Sequence, residues 1–242
     1  MTDSKNSSKI LTYRYKFTLS NGTERGFDIK LDERTLNLIS EEKKSYPGWT
    51  ELKYSKCSNC PLNEDQHKFC PIAINLVDLI DFFSGSNSYE EVDIYIDTEA
   101  RKYMKHTTLQ QGISSLMGIY MVTTGCPIME KLKPMVRFHL PFATIDETKY
   151  RVLSMYLLAQ YFLARHGRES DWELKKLVEI YADIQTVNKN FCERLRNIKI
   201  KDASINAVVI LDCFAGSVTF SLEEDSLDKI ELLFNAYLSG KD

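Results

Sequence analysis

Four cysteines carry the clearest chemical signal in this chain. Cys57 and Cys60 form a C-x2-C pair followed by Pro61; Cys70 is followed by Pro71, and Cys126 sits in Thr-Gly-Cys-Pro. A C-x2-C turn lets two sulfurs chelate one metal at small entropic cost, because the loop it closes is short. Two further thiolates complete four-fold coordination, which suits zinc or an iron–sulfur cluster. Proline after Cys60, Cys70 and Cys126 removes a backbone N–H that a zinc knuckle would aim at sulfur. Cys-Pro recurs in ferredoxin-type clusters, although C-x2-C-x9-C-x55-C is not a ferredoxin spacing. The expectation is a metal centre held by Cys57, Cys60, Cys70 and Cys126, with a 4Fe-4S cluster favoured over zinc. Its work would be electron transfer or redox sensing with a protein or small-molecule redox partner. The bland reading of the same residues is buried core thiols, and Cys192 and Cys213, on apolar helical stretches, are read that way.

A second group lies further along. His139 occupies Arg-Phe-His-Leu-Pro-Phe, where an imidazole can ligate a metal or act as acid or base, or can pack against the core. Glu147 and Arg151 follow at i and i+4 on a helix, the spacing of an ordinary ion pair. If they face His139, they make an anion or substrate pocket. This gives the alternative of an enzyme with its pocket around Cys126, His139, Glu147 and Arg151, and a structural or catalytic metal. A third reading is an interaction module stapled by zinc. His67 and His106 are further ligand candidates. Gln160, Asn206 and Asp212 interrupt apolar runs and mark either internal hydrogen-bond networks or a lined cavity, because unpaired buried polar groups are costly. No G-x-G-x-x-G, Walker loop, H-E-x-x-H or G-x-S-x-G occurs, so the familiar nucleotide, zincin and hydrolase motifs drop out.

Composition narrows the partners. With 31 Lys+Arg against 34 Asp+Glu, the chain lacks the basic excess of a general nucleic-acid binder. Its first ten residues have no apolar leader core, and the apolar stretches at 113–122 and 152–163 are too short or too mixed to span a bilayer. The expectation is a cytoplasmic protein with reduced thiols, no nucleic acid and no membrane partner, and with self-association into a homo-oligomer left open.

These groups need a scaffold. Leu11, Tyr13, Tyr15, Phe17 and Leu19 alternate as a half-buried strand; Asn21-Gly22 turns the chain, and Phe27, Ile29 and Leu31 return it. Asp32 is expected to cap a short helix over 33–40. A polar cysteine loop over 53–71 precedes a helix at 72–83, and Val92, Ile94 and Ile96 supply a third strand. Helices are expected from about 107 to 123, from Asp146 to 165, from Asp171 to 196, and over 203–215 and 226–238. The fold class is α+β: a small N-terminal antiparallel β-sheet, a cysteine-rich metal-binding loop and a mainly helical C-terminal body. Residues 1–8 read as a disordered tail. Residues 9–242 read as a single domain, with 9–105 forming the hairpin and cysteine loop and 106–242 the helical body.

Taken together, Trp49-Thr50, Cys57-x2-Cys60-Pro-Leu, Cys70-Pro, Thr-Gly-Cys126-Pro, Phe-His139-Leu-Pro-Phe and Leu-Ala-Gln160-Tyr-Phe resemble an uncharacterised bacterial family of about this length. The resemblance covers nearly the whole chain. It implies a stand-alone protein of unknown function and transfers no catalytic assignment.

Overall fold

The computed structural model describes residues 9–224 and 226–240, so the expected tail at 1–8 lies outside the described residues. Strands β1 (Ile10–Leu19) and β2 (Glu24–Asp32) form the expected hairpin. Its turn places Gly22 at φ 81°, a conformation that costs glycine little. Strand β3 (Glu91–Thr98) pairs antiparallel with β1, and β4 (Lys102–Thr108) closes the order β2-β1-β3-β4. Leu11, Tyr13, Tyr15, Phe17, Ile29, Leu31, Val92, Ile94 and Ile96 are all buried, so one face of the sheet belongs to the core, as period-2 alternation requires.

Two short helices, α1 (Pro71–Asn75) and α2 (Val77–Phe82), stand where one helix over 72–83 was expected. They meet at Leu76, which leaves helical geometry at ψ 0° while its side chain stays buried. The short helix after Asp32 does not form. The Asp32 carboxylate instead accepts from the N–H groups of Arg34 and Thr35, and Leu36 takes φ 57°, which makes a local turn.

Helix α3 (Leu109–Thr123) rests on the sheet, with Gly112 directly over Ile94 and Phe17. The short α4 (Lys133–Arg137) leads to α5 (Ile145–Arg165), which starts one residue before the expected cap. Thr144, not Asp146, is the N-cap: its hydroxyl accepts from Glu147 N, and Glu147 returns a carboxylate to Thr144 N. Gly167, at φ 66°, ends the following turn. Asp171 accepts from Lys176 N and from the Tyr156 hydroxyl, which orients the start of α6 (Lys175–Arg196).

Helix α7 (Ala203–Glu223) packs against α3 and α6. It runs eight residues beyond the expected 203–215. By length and composition it is the one helix among the described residues apolar enough to cross a membrane. The expected helix at 226–238 breaks into α8 (Asp228–Glu231), a 3-10 turn and α9 (Asn235–Leu238), none of which buries a side chain. The chain is thus α+β, a four-stranded antiparallel sheet followed by a helical body.

Candidate functional site: a cavity between α3, α5, α6 and α7

Helix α6 divides two hollows by its helical period. Val187, Phe191 and Arg194 face a small enclosure, while Tyr181, Ile184 and Asn188, at i, i+3 and i+7, face a larger cavity.

Cys57, Cys60, Cys70 and Cys126 all border the small enclosure, which has a volume of only about 20 Å³. Its remaining walls are mainly apolar, with Leu52, Leu62, Ile72 and Ile128 among them. The metal-centre expectation is corrected here. Among the described residues, no group of three or more His, Cys, Asp or Glu side chains is placed so that it could hold a metal ion. The reading of the four cysteines as a metal centre is therefore not borne out by the arrangement of these side chains. All six cysteines are free thiols. Burial pushes the Cys57 thiol up to about 12, with the neighbouring thiols adding to the rise, and burial likewise raises Cys70 and Cys126. A thiol held protonated in an apolar pocket behaves as a small hydrophobe.

Cys192 is buried as expected, but Cys213 is exposed, because α7 is apolar nearly all round and its sequence does not mark which side faces out. Alkylation by iodoacetamide at mildly alkaline pH, read by peptide mass spectrometry, is expected to modify Cys213 well ahead of Cys57, Cys70 and Cys126. Equal rates at all four would show that the enclosure opens freely.

The larger cavity holds about 490 Å³. Helix α3 contributes the small residues Ser114, Ser115 and Gly118, and at Gly118 it comes close to Leu211 of α7. Ile210, Leu211, Phe214 and Ala215 form the α7 wall. Thr148 and Arg151 come from α5, and His139, Phe142 and Ala143 from the loop before it. Phe142 takes φ 58°, a conformation a bulky side chain avoids unless its surroundings impose it; the Lys105 ammonium of β4 lies 5.3 Å from its ring centre.

The sequence-predicted group is therefore assembled in part. His139 and Arg151 share this cavity. Cys126 belongs to the other hollow, and Glu147 is committed to the α5 cap. The expected pocket of Cys126, His139, Glu147 and Arg151 does not exist as one site. The Arg151 guanidinium donates from one nitrogen to the carbonyls of Met135 (2.8 Å) and Phe138 (3.0 Å), which fixes it against α4 and the loop beyond. His139 Nε2 lies 2.6 Å from the Tyr15 hydroxyl, which in turn lies 3.0 Å from Ser115 Oγ. Burial, with Arg151 nearby, depresses the His139 imidazole to about 3, so it is neutral near pH 7. Its companion Tyr15 is pushed well above its ordinary value by burial and keeps its proton.

His67 and His106 line neither hollow: His67 is exposed, and His106 Nδ1 pairs with Asp93 at 2.8 Å on the exposed face of the sheet. Gln160 belongs to a local network, since its Oε1 accepts from Asp171 N at 2.8 Å.

Two cavity groups escaped the sequence reading. Tyr181 and Asn188 are 4% and 1% exposed, and among the described residues the Asn188 amide oxygen has no hydrogen-bond partner. Their only sequence signal is polar atoms on the buried stripe of an amphipathic helix. A family model described as a domain of unknown function (DUF6901) matches residues 11–235. No curated protein and no solved structure matches the chain.

Proposed function

This chain belongs to the DUF6901 family, and from the geometry of its own larger cavity we propose that it binds one small, mostly apolar organic molecule between α3, α5, α6 and α7. The observation that carries this reading is the chamber itself, about 490 Å³ walled by four helices, with the buried side chains of Asn188 and Tyr181 on its α6 side. Close-packed interiors rarely leave empty space of that size, and an apolar ligand filling it would regain the contacts its walls lack.

The rest of the lining has the character of a ligand site. Hydrophobic walls of Leu132, Ile184, Leu211 and Phe214 surround a few fixed polar groups, and the volume lies within the range of roughly 300–1,000 Å³ common to small-molecule pockets. Arg151 is held by two backbone carbonyls and His139 by Tyr15, so both are set before any ligand arrives.

The test is a fluorescence titration with Prodan, a neutral naphthalene dye whose emission shifts blue in apolar surroundings. A saturable blue shift at a single site is expected. Ala143→Trp, which projects an indole into the cavity from a half-buried loop position, is expected to weaken it by more than about tenfold, or 1.4 kcal/mol. The variant should keep its unfolding temperature within a few degrees. Undiminished binding in A143W would place the dye elsewhere and remove the support for this cavity.

A further inference from the structure

The charge of the lining is one-sided. Lys105 and Arg151 both border the cavity, and no Asp or Glu does. The nearest carboxylate along α5, Glu147, lies outside the lining: its Oε2 accepts from Thr144 N at 2.7 Å and from the Thr144 hydroxyl at 3.0 Å, and its charge is felt by Arg151 and Lys105 without an ion pair to either. Among the described residues neither Lys105 nor Arg151 enters an ion pair. The two carbonyls on Arg151 fix one of its nitrogens but supply no counter-charge. His139 adds no further positive charge near neutral pH, because burial keeps it uncharged.

Arg151 has five N–H donors in a planar fork, and only one of its nitrogens is engaged by the chain. Tyr181, buried on the neighbouring helix, has no hydrogen-bond partner among the described residues and is close enough to Arg151 for the two to interact electrostatically. Burial raises its phenol, so it stays protonated and offers an O–H. A guanidinium and a phenol with free donors, in an apolar chamber without acids, are complementary to one anionic group carried on a hydrocarbon body.

Building on the ligand-binding reading above, we infer that the cavity takes a monoanionic amphiphile, its acid group on Arg151 and Tyr181 with Lys105 beside it, and its hydrocarbon part against Leu211, Phe214 and Ile184. Asn188, about two turns beyond Tyr181 on the same face, meets a polar group further along the molecule. A large polar headgroup is a poor fit, since a mainly apolar wall leaves little to solvate it.

Calorimetric titration of the full chain with octanoate and with 1-octanol at neutral pH separates this inference from the reading beneath it. Both probes are straight eight-carbon chains, and only one carries charge. Octanoate is expected to bind at least about tenfold tighter, the worth of one good charge-assisted contact. Arg151→Gln is expected to erase that preference while 1-octanol still binds. Lys105→Gln, at an exposed strand position without an ion pair, is expected to fold normally and to reduce the preference severalfold. Equal affinities for the two probes would overturn the anionic assignment and leave a neutral-ligand cavity standing. Failure of both to bind would overturn the ligand-binding reading itself. A preference for octanoate that survives in both variants would place the anion away from these cations and overturn the assignment.

Discussion

Replacing Arg194 with methionine is expected to lower the stability of the folded chain by about 4 kcal/mol, a large share of the 5–15 kcal/mol that holds an ordinary domain together. Arg194 is 2% exposed, and its guanidinium reaches from α6 to four backbone carbonyls: Trp49 at 2.5 Å, Glu51 at 2.8 Å, Leu52 at 3.4 Å and Ser55 at 2.5 Å. Those carbonyls belong to two consecutive 3-10 turns, Gly48–Thr50 and Leu52–Tyr54, to Glu51 between them and to Ser55 after them, immediately before the cysteine loop. The segment has no sheet or long helix to satisfy its backbone, so the arginine fork does so.

Methionine matches much of the side chain's bulk but leaves several buried acceptors with nothing to accept, each costing on the order of 1–3 kcal/mol. Lysine should not rescue, because a single ammonium cannot reach four carbonyls spread over seven residues. Urea unfolding followed by the fluorescence of buried Trp49 measures both variants. A loss below about 1 kcal/mol for Arg194→Met would mean that water replaces the guanidinium without penalty, and that the loop is anchored by other contacts.

The parts of this molecule legible in the sequence are those where one local period sets the outcome. Strands β1, β2 and β3 each bury alternate residues on one face, and Asn21-Gly22 fixes the first turn, so the hairpin and its third partner are apparent before any tertiary contact is considered. Strand β4 is different. Lys102, Met104, Lys105 and His106 are exposed on an edge that covers no core, so no alternation survives to mark it. The α1–α2 break escapes for another reason: Leu76 remains buried through the interruption, so its hydrophobic spacing reads as continuous helix.

The site divides in the same way. His139 stands out because a histidine amid Phe, Leu and Pro is chemically conspicuous, and Arg151 because it follows Glu147 at helical spacing. Their true partners are not local. Glu147 turns back to cap its own helix, and Tyr181 and Asn188 come from α6, some thirty to forty residues later, as roughly measured against a chain that must fold before they meet. The cysteines show the opposite hazard. Their spacing brings all four to one enclosure, as chelation would require, yet that enclosure is tiny and apolar and presents no arrangement able to hold an ion. Proximity in a C-x2-C loop is necessary for a metal site, but ligand direction is decided by the packing of α1, α6 and the turn after α3, about which spacing carries no information.

The closest packing in the core yields the second large effect. Gly112 lies in the first turn of α3 over the sheet, and a Cβ there would stand 2.1 Å from Ile94 Cδ1 and 2.9 Å from Phe17 Cε1. Both neighbours are fully buried, so neither has open space to swing into. Alanine is a better helix former than glycine by about 1 kcal/mol, and on propensity alone Gly112→Ala should stabilise α3. Overlap decides the sign instead: forcing a methyl into a filled core costs typically about 1–3 kcal/mol before that gain, and here the overlap is severe. A net loss of about 2 kcal/mol is expected for Gly112→Ala.

Ile94→Val removes the offending Cδ1 and leaves Cγ1, which sits 3.4 Å from the same position, an ordinary contact. Alone it should cost about 1 kcal/mol for the lost methyl group. Together the two substitutions should cost clearly less than their sum, with a coupling of about 1–2 kcal/mol, because the cavity made by one is filled by the other. Chemical denaturation of the wild type, both single variants and the double variant supplies the cycle. Simple additivity would mean that α3 lifts from the sheet to admit the methyl, so that the seat of the cavity's α3 wall is softer than its packing against Ile94 and Phe17 implies.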